Sequence, residues 1–377
     1  MAKKIRIGVI FGGRSGEHEV SIASAESVIK ALDEKKYEVV PIGITKQGTW
    51  LTQNNPLKIL KKGSFKAADT LKIITPDSTK KSLVAIKGAK GITKPITEKK
   101  LDVVFPVLHG TFGEDGTIQG LLELADIPYI GANVLASAVG MDKTIQKIIF
   151  KNSGLPVVPF VFFTKYEFKN NKIFVFKKIS GLGYPIFIKP ANLGSSVGIS
   201  KVKNFNELNE AINLAFLYDK KIIAEKAVLK PREIEIAVLG NDNPSASLPG
   251  EVFASNEFYD YDAKYVDGKS QINIPADLPK DLSSKLRKYA INAFKSIDCS
   301  GMARVDFLLG NQNKIYLSEV NTIPGFTSIS MYPKLWQATG LSYDKLIEKL
   351  ITLAIEKHRE KSDLSTSYKP KARWYQK

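Results

Sequence analysis

The chain has 377 residues, 44% hydrophobic and 25% charged, the balance of a soluble globular protein whose length points to two or three domains. No apolar run approaches the roughly 20 residues that cross a bilayer, and the single cysteine, Cys299, excludes an internal disulfide framework and fits a reducing cytoplasm. A formal charge of +17 could signal nucleic acid, but the excess is scattered lysine and arginine numbers only seven; with no RNP, helix-turn-helix or zinc-finger pattern, neither nucleic acid nor membrane is an expected partner.

The amino terminus passes directly into an apolar strand, Lys4–Phe11, leaving no room for a signal h-region. A helical pattern from about Val20 to Leu32 and a second strand, Tyr37–Ile44, follow. That β–turn–α–β order predicts a parallel sheet with helices on its faces. Residues from about Gly48 to Lys100 are polar, lysine-rich and weakly patterned, and read as an insertion of short strands and loops rather than core. Leu101–Leu108 is a further buried strand, followed by a Gly-rich loop, a helix near Ile118–Ala125, and Ile127–Ile130, which closes a first domain at about residue 131. Two loops here are chemically suggestive. Gly12–Glu19 could offer backbone donors to an anion, but Glu17 and Glu19 would repel phosphate, so a substrate ammonium suits it better. His109–Gly116 lies at the C-terminal end of a parallel strand, where open α/β sheets bind ligands.

A second region, 132–227, starts with one helix from Ala136 to about Asn152 that contains Met141-Asp142-Lys143. Strands are expected at Val157–Phe163, Pro185–Lys189, Ile199–Val202 and Ile222–Lys226, with an amphipathic helix at Phe205–Leu217. The loop Gly194-Ser195-Ser196-Val197-Gly198 lets backbone N–H groups approach phosphate, and Lys189 and Lys143 could neutralise a polyphosphate. It is not a Walker A loop, since no Gly-Lys-Ser/Thr opens a helix. Ala224–Val228 is a strand running into a turn, with Glu233 and Glu235 beyond; such a strand end can bond an adenine edge while a carboxylate takes ribose hydroxyls.

The third region, 228–377, opens with the strand Arg232–Leu239. Phe258–Tyr265, aromatic and charged without core periodicity, reads as a loop closing over a site, with Lys264 reaching phosphate and Tyr265 offering a hydroxyl. Arg304-Val305-Asp306 and Ser318–Gly325 flank the polar turn Gly310–Lys314, which predicts a hairpin. Folding there sets Asp306 opposite Glu319 and Arg304 opposite Asn321 on one face. Two carboxylates and an amide oxygen are hard ligands of the kind Mg²⁺ takes in nucleotide enzymes. Tyr343–His358 is a helix, and Tyr368–Lys377 a mobile tail.

Taken in order, Phe11–Ser21, Leu108–Gly116, Gly140–Lys143, Ile188–Gly198, Glu225–Val228, Glu233, Phe258–Tyr265, Arg304–Asp306 and Glu319–Met331 resemble the ATP-grasp ligases and, within them, the D-alanine–D-alanine ligase family. The resemblance spans nearly the whole chain. It implies an α/β (α+β) fold of three domains, an N-terminal Rossmann-like parallel sheet and two α+β domains clasping ATP. The implied reaction activates one D-alanine as an acyl phosphate, which the amine of a second attacks to give D-alanyl-D-alanine, ADP and phosphate for peptidoglycan. By the same resemblance Asp306, Glu319 and Asn321 hold two Mg²⁺ or Mn²⁺, with Glu319 bridging. Lys143, Lys189, Ser195, Ser196, Val197 and Gly198 clamp phosphates, Glu225, Lys226, Val228 and Glu233 position adenosine, and Lys264 stabilises the moving phosphoryl group. Arg304 and the Gly325 N–H form an oxyanion hole. Glu17, Ser195 and Tyr265 form a triad that orients the first D-alanine, His109 lies near its carboxyl group, and Ser330 with the Met331 backbone takes the second carboxylate. Tyr265 favours a dipeptide over a depsipeptide product, and a homodimer is the family's habit. Met331 stands where leucine is common, and Asn192-Leu193 where charged residues often occur.

Overall fold

The structure is a computed structural model that describes residues 3–52, 55–63, 70–87, 96–253 and 271–368. The first strand, β1 (Ile5–Gly12), leads into helix α1 (His18–Ala31) and β2 (Tyr37–Ile44), then a short β3 (Trp50–Leu51) and α2 (Pro56–Lys62). Three strands, β4 (Thr70–Ile74), β5 (Ser82–Lys87) and β6 (Ile96–Lys100), form a separate antiparallel sheet before β7 (Val103–Val107). The main N-terminal sheet has the order β3-β2-β1-β7, with β1 parallel to both β2 and β7 as the β–α–β pattern predicts. Its strands are largely apolar because both faces are covered, and the exceptions Arg6 and Glu38 pair with each other at 3.0 Å. One face packs against α1 and against the C-terminal helices Met331–Ala338 and Tyr343–Ser362. The other takes Ile74 and Leu83 from the insertion into its core, so that segment is not merely peripheral as its weak pattern suggested; it also carries the unanticipated helix α2.

After α3 (Thr117–Leu124), the single helix expected from Ala136 divides at Asp142 into α4 (Val134–Met141) and α5 (Lys143–Asn152). Asp142 is extended, and its carboxylate accepts from the backbone N–H groups of Thr144 and Ile145, capping α5. An N-cap aspartate must leave helical geometry, which breaks the run. The antiparallel sheet that follows has the order β10-β9-β11-β8, from β8 (Phe160–Thr164), β9 (Ile186–Pro190), β10 (Ser200–Val202) and β11 (Lys221–Lys226). Ile186, Ile188, Ile222 and Ala224 face a helical core. Alternation therefore turns Lys189 and Glu225 to the other face, on interior rather than edge strands. Helices Lys165–Asn170 and Lys172–Ser180 connect β8 to β9 and had no clear sequence period.

The largest sheet, β15-β14-β12-β16-β17 with β13 paired to β12, is built from β12 (Arg232–Gly240), β13 (Ser245–Ala246), β14 (Gly250–Phe253), β15 (Gln271–Asn273), β16 (Gly301–Leu309) and β17 (Ile315–Asn321). Ile234, Ile236, Val305, Phe307, Leu317 and Val320 pack on one face against the helix Lys280–Ser296 and against α4 and α5. The β16–β17 register pairs Arg304 with Asn321 and Asp306 with Glu319, as the hairpin reading expects. Beyond Asp306 the register shifts, Phe307 pairing with Leu317, so Ser318 is an extra residue in a β-bulge. The bulge changes the phase of β17: Leu317 points into the core while Glu319, two residues on, points out of it.

Candidate active site

A row of three carboxylates crosses the exposed face of the large sheet, Glu235 paired with Asp306 and Asp306 with Glu319. Like charges set directly opposite one another repel, so the row needs cations. Arg304 supplies one. Its Nε and Nη2 donate to the two oxygens of Asp306, each at 2.8 Å, and Nε lies 3.0 Å from Glu235 Oε2. Burial opposes charge on this guanidinium, yet Asp306 and Glu235 raise its pKa further above the ordinary arginine value. Asn321 Nδ2 donates to Asp306 Oδ2 at 2.9 Å, and Lys143 Nζ is 3.2 Å from Glu319 Oε2. Asp306, Glu319 and the Asn321 amide are hard oxygen donors on one face, so these residues fit a divalent ion. Among the described residues no group of three His, Cys, Asp or Glu could by itself hold a metal ion.

Lys143 stands at the junction of this face and the Gly194–Gly198 loop, since its ammonium also donates to Leu193 O at 2.9 Å and its backbone N–H to Ala191 O. Ser195 and Ser196 both have positive φ, and the Val197 N–H donates to Gly194 O at 3.3 Å, so the loop opens with a tight left-handed turn. Gly198 closes the loop at φ +71°, where a Cβ would sit 2.7 Å from the Tyr218 ring and 3.0 Å from Pro190. Gly198→Ala is expected to cost about 1–3 kcal/mol and to raise the KM for ATP several-fold, measured by thermal unfolding and nucleotide titration.

On the sheet facing that hairpin, Glu225 is 4% exposed and held by two ammonium groups, Lys189 at 2.7 Å and Lys147 at 3.1 Å. Burial works against its charge, but the two lysines hold the carboxyl down at about 2, against the ordinary 4.5. A depressed folded-state pKa means the carboxylate's contribution to stability is complete above about pH 4.5 and lost as pH falls toward about 2. Urea midpoints followed down through that window should fall more steeply for the wild type than for Glu225→Gln. Lys226 differs from expectation in its side chain, which donates to Gly183 O and Tyr184 O at 2.8 and 3.0 Å and so braces a turn. Its backbone N–H is also taken, donating to Pro159 O at 2.9 Å, which leaves no more than its carbonyl for a base. Glu233 lies two residues from Glu235 on β12, and Val228 follows the end of β11.

The N-terminal loop reaches this site across 178 residues of sequence: the Ser195 hydroxyl donates to Glu17 Oε1. Two members of the expected triad are therefore in contact. The third, Tyr265, and Lys264 lie outside the described residues, as does the whole of Phe258–Tyr265. The Ser15 hydroxyl accepts from Glu17 N and donates to His109 O, tying the two Gly-rich loops together. His109 is buried, with Nδ1 3.1 Å from Ile323 O and Nε2 3.1 Å from the Ser24 hydroxyl. A carbonyl only accepts, so Nδ1 carries the proton. Burial lowers the pKa of His109, but Glu114, 3.6 Å away, and then Glu17 raise it above the ordinary 6.5. Gly325 lies against Ser330, whose hydroxyl bonds the Thr327 N–H and hydroxyl, and Met331 begins the next helix. His18 plays no part there: it is buried, with Nδ1 donating to Gly13 O at 2.8 Å. Sequence reasoning missed Gln146 and Lys147. They follow Lys143 by three and four residues, the helical spacing of a shared face, which was the available signal.

With this geometry in hand, comparison with known proteins is direct. The family description D-ala D-ala ligase N-terminus matches residues 6–132, and D-ala D-ala ligase C-terminus matches 149–352. The chain is 49% identical over 368 residues to a D-alanine--D-alanine ligase of Natranaerobius thermophilus, covering 97% of this chain and 99% of the relative. It is 52% identical over 361 residues to one from Thermoanaerobacter, covering 95% and 99%. Among solved structures, the D-alanine-D-alanine ligase of Coxiella burnetii superposes with a TM-score of 0.80 at 37% identity, covering 96% of this chain and 97% of that one. A D-Ala:D-Ser ligase from Enterococcus faecalis gives 0.82 at 37% identity, covering 93% and 100%. Two family matches that together take in most of the chain, and near-full-length identity around one half, agree with the site: this chain belongs to the D-alanine–D-alanine ligase family, an ATP-grasp family of ATP-dependent ligases.

Proposed function

We infer that the enzyme joins two D-alanine molecules at the expense of ATP, through a D-alanyl phosphate, to supply D-alanyl-D-alanine for peptidoglycan. The observation that carries the assignment of residues is Lys143, whose ammonium touches both the hairpin carboxylate Glu319 and the Leu193 carbonyl of the phosphate loop. A polyphosphate bound by that loop thereby lies beside the metal-ligating face. In this reading the Ser195–Gly198 backbone, Lys143 and Lys189 hold the phosphates, while Glu225, the Lys226 backbone, Val228 and Glu233 hold adenosine. Asp306, Glu319 and Asn321 would hold two Mg²⁺ or Mn²⁺, adding about +4 of charge against the roughly −4 of ATP.

Glu17, fixed by Ser195, receives the first D-alanine's ammonium, and His109 faces its carboxyl group. Once that carboxyl is phosphorylated, the second D-alanine, its own carboxylate held by Ser330 and the Met331 N–H, attacks through its amine. Negative charge then develops on the former carboxyl oxygen. Arg304 is held rigid by Asp306 and Glu235, so Nη1 is the nitrogen assigned to that oxygen, together with the Gly325 N–H. A donor fixed before the reaction needs no reorganisation as charge develops, and one such donor is worth about 3–4 kcal/mol. Lys264 and Tyr265 complete the proposal as phosphoryl stabiliser and third member of the triad.

We propose three domains, 1–131, 132–227 and 228–377, a reading supported by the separate sheets in each stretch. We propose a cytoplasmic location, a reading that ATP as substrate and the single, unpaired Cys299 support. No helix among the described residues is long and apolar enough to cross a membrane. The homodimer is a proposal for sedimentation to test. Incubation with ATP, Mg²⁺ and D-alanine should release phosphate only when D-alanine is present, with the dipeptide identified by mass; release without dipeptide overturns the reading. The D-Ala:D-Ser ligase match favours D-serine as an alternative second substrate, and competition between the two amino acids separates them.

A further inference from the structure

Lys147 is 1% exposed, an unusual place for an ammonium. Its Nζ lies 3.1 Å from Glu225 Oε1 on the second sheet and donates to Ser318 O, at 2.9 Å, on the outer edge of β17. Ser318 is the bulge residue and has no paired residue on β16, so its carbonyl is met by a side chain. Next to it, Gln146 Oε1 accepts from Val320 N at 3.0 Å, while its Nε2 donates to Gly140 O at 2.8 Å. With Lys143 on Glu319, three residues of α5 at positions i, i+3 and i+4 meet three consecutive residues of β17. β11 is anchored to the same helix at both ends, through Glu225 to Lys147 and through Lys221 to Asp142.

Charge balance alone does not explain Lys147, because Lys189 already neutralises Glu225. Burying a second ammonium costs several kcal/mol unless its contacts repay it. We propose that Lys147, assisted by Gln146, is a positioning residue that fixes the metal-binding strand at a set distance from the nucleotide-binding strand. It touches neither ligand; it holds Glu319 in place from behind while holding Glu225 from below. The inference rests on the reading above, in which Glu319 binds metal and Glu225 serves the nucleotide.

The test uses the full-length protein, Mn²⁺ binding followed by electron paramagnetic resonance, and ADP binding measured calorimetrically in the presence of EDTA. Lys147→Met should weaken Mn²⁺ and metal-free ADP each by about tenfold or more, the scale typical of lost supporting contacts around metal ligands. Gln146→Met leaves Glu225 and its lysines intact, so it should weaken Mn²⁺ to a similar degree, about tenfold, and leave ADP within about twofold. Glu319→Gln separates the two levels of argument. If it leaves Mn²⁺ affinity unchanged, the assignment of the metal site fails. If it weakens Mn²⁺ while both α5 variants stay within about twofold of wild type, the positioning role is overturned and the metal site stands. Should Lys147→Met not fold, Gln146→Met decides the question alone: equal losses of Mn²⁺ and ADP affinity, or none of either, overturn the proposal.

Discussion

Glu319→Gln is expected to lower kcat by about 10²- to 10³-fold while the KM for D-alanine changes little, the pattern of a group needed mainly in the transition state. The substitution is nearly isosteric, so the hairpin pairing with Asp306 and the Val320–Gln146 contact survive. What disappears is one negative charge beside Lys143, where the Gly194–Gly198 loop and the hairpin meet. Lys143 loses its carboxylate partner, 3.2 Å away, but keeps the Leu193 carbonyl and therefore its place. Stability should change little, because removing one member of a carboxylate row relieves repulsion as it removes an ion pair. Steady-state rates at several fixed Mg²⁺ concentrations check the claim. Near-normal turnover at saturating Mg²⁺ would refute the bridging role of Glu319.

Arg304→Met is the variant for which both activity and stability should fall. The guanidinium is the shared partner of Asp306 and Glu235, and its removal leaves two largely buried carboxylates facing each other across β12 and β16. Breaking one side of a buried ion network typically costs about 3–5 kcal/mol, which thermal or urea unfolding would register as a large drop. Activity should fall by about 10²- to 10³-fold through loss of the proposed oxyanion donor. Arg304→Lys distinguishes the two effects. Its point charge keeps part of the electrostatic balance but cannot reproduce the forked contact with both oxygens of Asp306. Stability should recover more than turnover does. A lysine variant with wild-type kcat would remove Arg304 from the oxyanion site.

Much of this arrangement was legible in residue order. The alternation of Arg304 and Asp306 with Val305 and Phe307 revealed one face, and the polar turn fixed which residues stand opposite. The Glu17–Ser195 contact followed from family resemblance alone, because no local pattern joins residues 178 apart. What escaped reading has physical reasons. The break at Asp142 is a competition between a capping carboxylate and helix continuity, and the flanking apolar residues suit either outcome. Helices Lys165–Asn170 and Lys172–Ser180 are too short for a clear period, and the core residues Ile74 and Leu83 sit in a stretch too polar to advertise them. Lys147 was overlooked for a different reason: in a chain with 55 basic residues, its helical spacing from Lys143 does not stand out. The lid assignments of Lys264 and Tyr265 fall outside the described residues and rest on resemblance.

The extra residue at Ser318 makes the site depend on spacing as well as chemistry. Leu317 and Glu319 would face the same way if Ser318 took a regular place in the strand; because Ser318 bulges, one points inward and the other outward. The Ser318 contact that α5 uses is a backbone carbonyl, so exchanging the side chain for alanine should be nearly silent. Removing the residue altogether would make Leu317 and Glu319 consecutive and still on opposite faces, but it would take away the carbonyl that Lys147 holds. Variation at this position is therefore open to substitution, while loss of the residue costs the strand its tie to α5.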